Sequence, residues 1–177
     1  RVNYKQKITK EITMTKVKDI LRKYCKKKGY YFEQDEDNKN LMYLPFCGTN
    51  LTSQSKAIFN EESRWLEFYS TESLPIKKGQ KEKLLELTNT VNWDTLLVNI
   101  LVDFEKEFLA VCTSVPYQCI DNDGDIFEII INGNVCAINY YYPAYLSVIY
   151  GDKSVEEALD DLDEFYFADE IEESKKQ

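Results

Sequence analysis

Four carboxylates fall close together at Asp121, Asp123, Asp125 and Glu128, with Asn122 and Gly124 between them. Alternating acids that end in a glycine suggest a calcium loop, where Gly takes position six and oxygen ligands take one, three, five and twelve. Placing Gly124 at position six puts Cys119 at position one and Ile130 at position twelve, so both outer ligands are wrong. The segment reads instead as a turn entering a helix N-terminus, where carboxylates favour the helix dipole. Acid/base catalysis would need two carboxyls whose surroundings drive their pKa values apart. These acids sit beside a turn, and Glu105 and Glu107 flank another, so both groups read as solvated.

The chain of 177 residues contains no histidine. Ser-His-Asp and Cys-His catalysis therefore have no base, and mixed Cys/His zinc sites and facial-triad iron sites lose their usual ligand. The cysteines are Cys25, Cys47, Cys112, Cys119 and Cys136, an odd set without a Cys-x-x-Cys pair. They read as buried free thiols of a reducing cytosol. Asn50-Leu51-Thr52 matches a glycosylation sequon, but nothing else points to secretion. The chemistry-bearing residues thus give no catalytic residue, no metal ligand and no cofactor site. The expectation is a cytoplasmic protein that is not an enzyme.

Charge is unevenly placed. Residues 1–28 carry eleven Lys/Arg against Glu11 and Asp19, and residues 154–174 carry ten Asp/Glu with no Lys/Arg. The basic segment has no interleaved aromatics, zinc-finger spacing or helix-turn-helix signature, so a solvated helix face is favoured over a nucleic-acid surface. A nucleic-acid-associated protein using this basic helix is the alternative function. With 44% apolar and 14% aromatic residues, the chain has material for one sizeable core. The expected layout is a basic arm at 1–13, a single domain at 14–164 and an acidic tail at 165–177.

The elements follow from periodicity. Met14, Val17, Ile20, Leu21 and Tyr24 lie at spacings of three and four, which predicts a helix over Thr15–Lys28 capped by Gly29. Short strands are expected at Tyr30–Gln34, Leu41–Phe46, Gln54–Asn60 and Arg64–Ser70. Leu84, Leu87 and Val91, with Leu85 and Thr88, mark a second helix over Lys78–Thr90. The apolar runs Leu96–Val102 and Phe108–Val115 read as a hairpin near the middle of the sheet, buried on both faces for part of its length. Ile129 to Tyr150 contains no charge, but Asn132, Asn134, Asn139 and Pro143 argue for a core helix and against a membrane span. That helix is expected to start near Asp125 and to be kinked or interrupted at Pro143. Ser154 with Glu157 makes a capping box for a last short helix that docks through Leu162.

Several stretches in the C-terminal half carry a resemblance. They are Leu84-Leu85-Glu86-Leu87-Thr88-Asn89 running into Val91-Asn92-Trp93, and the hairpin end Thr113-Ser114-Val115-Pro116. They continue with Tyr142-Pro143-Ala144-Tyr145, Val148-Ile149-Tyr150-Gly151 and Lys153-Ser154-Val155-Glu156-Glu157-Ala158-Leu159. In this order and spacing the chain resembles the YbjN family, which shares a fold with type III secretion chaperones. The resemblance implies an α+β domain, an antiparallel β-sheet packed with helices in the order α-β-β-β-α-β-β-α, with an extra short C-terminal helix. It implies no established catalytic site. By likeness to chaperones that hold partner chains, it implies a protein-binding adaptor or regulator, with a homodimer as a candidate state. The candidate contact residues are the helix face Val17, Ile20, Leu21 and Tyr24, which could cover the chain's own sheet or a partner, and Tyr141 and Tyr145 from the tyrosine cluster.

Overall fold

Thr13 starts the first helix. Its side chain accepts a hydrogen bond from the Lys16 N–H at 3.3 Å, and α1 then runs over Met14–Lys28. Lys26, Lys27 and Lys28 fill the last turn, and Gly29 closes it at φ 73°, with the Tyr30 N–H returning to the Cys25 carbonyl. Thr13→Ala removes an acceptor for an end donor of this helix and is expected to cost about 1 kcal/mol, read by urea unfolding. The computed structural model describes residues 12–48 and 51–162. The basic arm through Glu11 and the acidic tail from Phe165 lie outside them, as does Asn50 of the sequon.

The strands are β1 (Glu33–Gln34), β2 (Leu41–Tyr43), β3 (Phe46–Cys47), β4 (Thr52–Asn60), β5 (Trp65–Ser73), β6 (Asn99–Asp103) and β7 (Phe108–Pro116). All pairings are antiparallel, in the order β1-β2-β4-β5-β7-β6, with β3 also on β4. The expected strand Leu41–Phe46 is thus split in two. Pro45 has no N–H for the ladder, yet Leu41↔Ile58 and Phe46↔Ser53 keep one register across the break.

Helices cover one face of this sheet. α2 (Lys81–Asp94) lies on β6, and α3 (Ile126–Tyr150) spans β4, β5 and β7. Residues 155–162 form α4. α2 starts later and ends later than expected. Gly79 at φ 90° and the Gln80 N–H bonded to Lys77 keep the chain out of the helix until Lys81. Of the two expected outcomes at Pro143, a kink or an interruption, the second does not occur, and α3 runs continuously through it. Its 25 residues reach about 37 Å, so it underlies two adjoining clusters of the core. One gathers α1 with Met42, Phe59, Phe68 and Phe127, and the other gathers α2, Ile100, Val111, Tyr145 and α4.

The expected central hairpin sits at the edge. β7 is buried on both faces from Leu109 to Thr113, but β6 ends the sheet, and Leu96 and Leu97 precede it in an exposed turn. Asp121 has the turn role expected of it. Its carboxylate accepts from the N–H groups of Gly124 and Asp125, and Gly124, at φ 77°, lets this turn pack under Ile20 of α1.

The capping box is also formed. Glu157 accepts from the Ser154 N–H at 2.8 Å, and Ser154 Oγ accepts from the Glu157 N–H at 3.2 Å. The Ser154 backbone N–H, followed by its hydroxyl, holds the Glu157 carboxyl below its ordinary pKa. A depressed folded pKa means that this contribution is present above the unfolded carboxylate pKa and is lost as pH falls through the folded value. Acidification is therefore expected to lower the amide protection factors at 154–158, and Glu157→Gln, which removes the titrating carboxyl, is expected to abolish that pH dependence.

Candidate protein-binding surface

The first expected contact residues are interior. Val17 and Leu21 are fully buried, Ile20 and Tyr24 nearly so, and all four sit in the core cluster beneath α1. Tyr24 packs its ring 5.8 Å from Phe127 and 6.2 Å from Tyr30. Of the two options for this helix face, the structure takes the chain's own sheet. Tyr145 is likewise buried, with its hydroxyl 2.9 Å from Thr88 Oγ1, and desolvation pushes its pKa well up. These five side chains are therefore packing residues and are not available to a partner. Tyr141 differs. It is half-buried against Tyr140, with ring centroids 4.8 Å apart, beside a cleft of about 170 Å³ lined also by Val91, Asp94, Leu159 and Leu162.

The basic helix is only partly free. Lys18 is buried, donates to the Lys39 carbonyl and lies 5.2 Å above the Phe59 ring, and burial lowers its pKa. Lys28 pairs with Glu128 at 2.8 Å, whereas Lys16, Lys23, Lys26 and Lys27 are exposed. The thiols also depart from expectation, because Cys47, Cys119 and Cys136 are exposed. Cys25 is pushed up to about 11 by burial, and Cys112 is raised by burial and then by Glu67, so neither is activated as a thiolate. Among the described residues no group of His, Cys, Asp or Glu could hold a metal ion, and no helix is long and apolar enough to cross a membrane.

Large exposed apolar side chains gather where α2 meets β6. Trp93 is 87% exposed, Leu96 97% and Leu97 61%, with Leu85 and Leu101 partly exposed nearby along α2 and β6. Helix geometry explains Trp93. Leu84, Leu87 and Val91 form the inward stripe of α2, and Trp93 lies roughly 200° around the helix from Val91. Alternation explains Leu101, since its neighbour Ile100 is buried toward the helices.

The turn that presents these residues is fixed at several points. The Thr95 N–H bonds Val91 O at 3.2 Å, and Thr95 Oγ1 donates to Val98 O at 3.1 Å. Thr113 Oγ1 donates to Leu97 O at 3.1 Å and itself accepts from the buried Asn134 amide at 2.7 Å. Asn92 reaches from α2 to β6 and bonds both backbone groups of Ile100. Exposed apolar groups on such a backbone lose little further entropy when covered.

A second surface is the sheet face opposite the helices. Ile58, Tyr69, Leu101, Phe104 and Phe108 line a hollow of about 590 Å³ there, with Lys56 and Lys81 at its sides.

This arrangement, one antiparallel sheet with its helices on a single face, recurs in solved structures. No family model and no curated protein matches the sequence. One similar structure is that of the ExsC–ExsE complex, with a TM-score of 0.55 at 12% identity over 72% of this chain and 92% of that one. The fold is type III secretion chaperone-like. A chain of the HopA1–SchA chaperone–effector complex aligns at TM-score 0.49 and 11% identity, over 72% of this chain and 95% of that one. YbjN from E. coli aligns at TM-score 0.47 and 16% identity, over 63% of this chain and 78% of that one. Five strands separate α1 from α2 where the order implied by the resemblance has three and the periodicity four; β1 lies within the expected strand Tyr30–Gln34, and β3 follows from the break at Pro45.

Proposed function

We propose that the chain is a non-enzymatic, chaperone-like protein-binding domain that forms a homodimer through Trp93, Leu96 and Leu97. The observation that carries this reading is the fixed, exposed apolar surface where α2 meets β6. Covering a large apolar side chain stabilises by about 1.5–3 kcal/mol, so three of them supply a usable driving force for association. Trp is also the residue type most enriched among dominant interface contacts. The fold neighbour of the ExsC–ExsE complex sits in a protein–protein assembly, which fits a protein partner for this chain. A second copy is the partner of choice because a two-fold contact needs only one self-complementary patch.

Sedimentation velocity of the full chain over a range of concentrations tests it. A monomer–dimer equilibrium is expected. A sedimentation coefficient that stays at the monomer value at every concentration would reject the homodimer.

A further inference from the structure

β6 is an edge strand whose outward backbone groups at Val98 and Ile100 meet side chains of the chain itself. Ile100 turns its N–H and C=O away from β7 toward α2, where the Asn92 carboxamide meets both. Asn92 Oδ1 accepts from the Ile100 N–H at 2.7 Å, and Asn92 Nδ2 donates to the Ile100 carbonyl at 2.9 Å. A residue of a neighbouring antiparallel strand would make this same pair of bonds. The preceding outward carbonyl, that of Val98, is taken by Thr95 Oγ1. An unoccupied edge is a template for another chain, and β6 is suited to such pairing. It reads Asn-Ile-Leu-Val-Asp, apolar and β-branched at its centre, with Asp103 its only charge.

We propose that β6 is a strand-pairing edge for a second copy of this chain, held shut by Asn92. Two β6 strands paired antiparallel about Leu101 would set Ile100 opposite Val102 and Asp103 opposite Asn99. The two Asp103 carboxylates would then not face each other, so nothing in the strand itself forbids the pairing. Asn92 decides against it. With the edge shut, association is left to the side chains of Trp93, Leu96 and Leu97, and the two sheets do not join. That last clause rests on the homodimer reading above, whereas the role of Asn92 stands on its own hydrogen bonds.

The test uses full-length Trp93→Ser, alone and combined with Asn92→Ala or Asn92→Asp. Sedimentation gives association, and hydrogen exchange gives the Ile100 amide. Trp93→Ser alone is expected to be monomeric with Ile100 protected. Adding Asn92→Ala is expected to free that amide in dilute solution and to tighten self-association about tenfold or more, with protection regained on association. Asn92→Asp keeps the acceptor for the Ile100 N–H but loses the donor to its carbonyl, so a smaller gain is expected, and it serves if the alanine variant does not fold. An Ile100 amide still protected in dilute Asn92→Ala, or a freely exchanging one in a chain that stays monomeric, would overturn the proposal. Persistent association of Trp93→Ser alone would count against the side-chain interface and leave the Asn92 result readable.

Discussion

Leu21→Ala is expected to lower the free energy of unfolding by about 3 kcal/mol, and Leu21→Asp to leave no folded chain at room temperature. Leu21 is fully buried among Val17, Tyr24 and the sheet residues beneath α1. Removing its side chain leaves a cavity that the surrounding aromatics cannot easily fill. Placing a carboxylate there adds an unpaired buried charge. A domain is typically stable by about 5–15 kcal/mol, so the first loss is tolerable and the second is not. Chemical denaturation of Leu21→Ala and circular dichroism of Leu21→Asp check both. If the apolar face of α1 were a partner surface, Leu21→Asp would fold normally and lose only association.

Trp93→Ser is expected to do the reverse. Its side chain is exposed at the end of α2, so stability should change by no more than about 0.5 kcal/mol. An anchoring aromatic at the centre of an interface is worth about 2 kcal/mol or more, which raises the dimer dissociation constant about thirtyfold. Leu96→Ser should act in the same direction with a smaller effect. Sedimentation equilibrium measures the constant, and thermal unfolding of dilute protein shows that the fold is intact. A Trp93→Ser chain that is destabilised with unchanged association would place Trp93 in the fold and not in the interface.

The contrast between these two positions shows what was legible in the sequence. Period and caps are local, so α1, its Gly29 stop and the Ser154–Glu157 box were readable from residues a few positions apart. The charge-free stretch Ile129–Tyr150 was also readable as a core helix, and the carboxylates from Asp121 as the turn before it. What an apolar residue is buried against is not local. Leu96–Val102 is a continuous apolar run, and composition alone suggested a central strand. In the folded chain β6 closes the sheet and the two leucines before it face solvent.

The same limit applies to the tyrosine cluster. Tyr145 and Tyr141 share a helix face by spacing, yet α2 packs over Tyr145 and leaves Tyr141 half-covered. The exposed surface does have one signal in the sequence. Trp93 falls off the stripe of Leu84, Leu87 and Val91, and a tryptophan out of register with a helix's buried face is a candidate for contact outside the fold. Asn92 gave no such signal, because its role depends on where Ile100 arrives from a different element.

On the reading proposed above, the α2–β6 junction is the contact surface between copies of this chain. Hydrogen exchange of the full chain, compared between dilute and concentrated solution, tests it most directly. Protection is expected to rise with concentration at residues 93–101 and to stay constant along α1 and the strand β4. Protection that rises along α1 or over the open sheet face, with residues 93–101 unchanged, would contradict it.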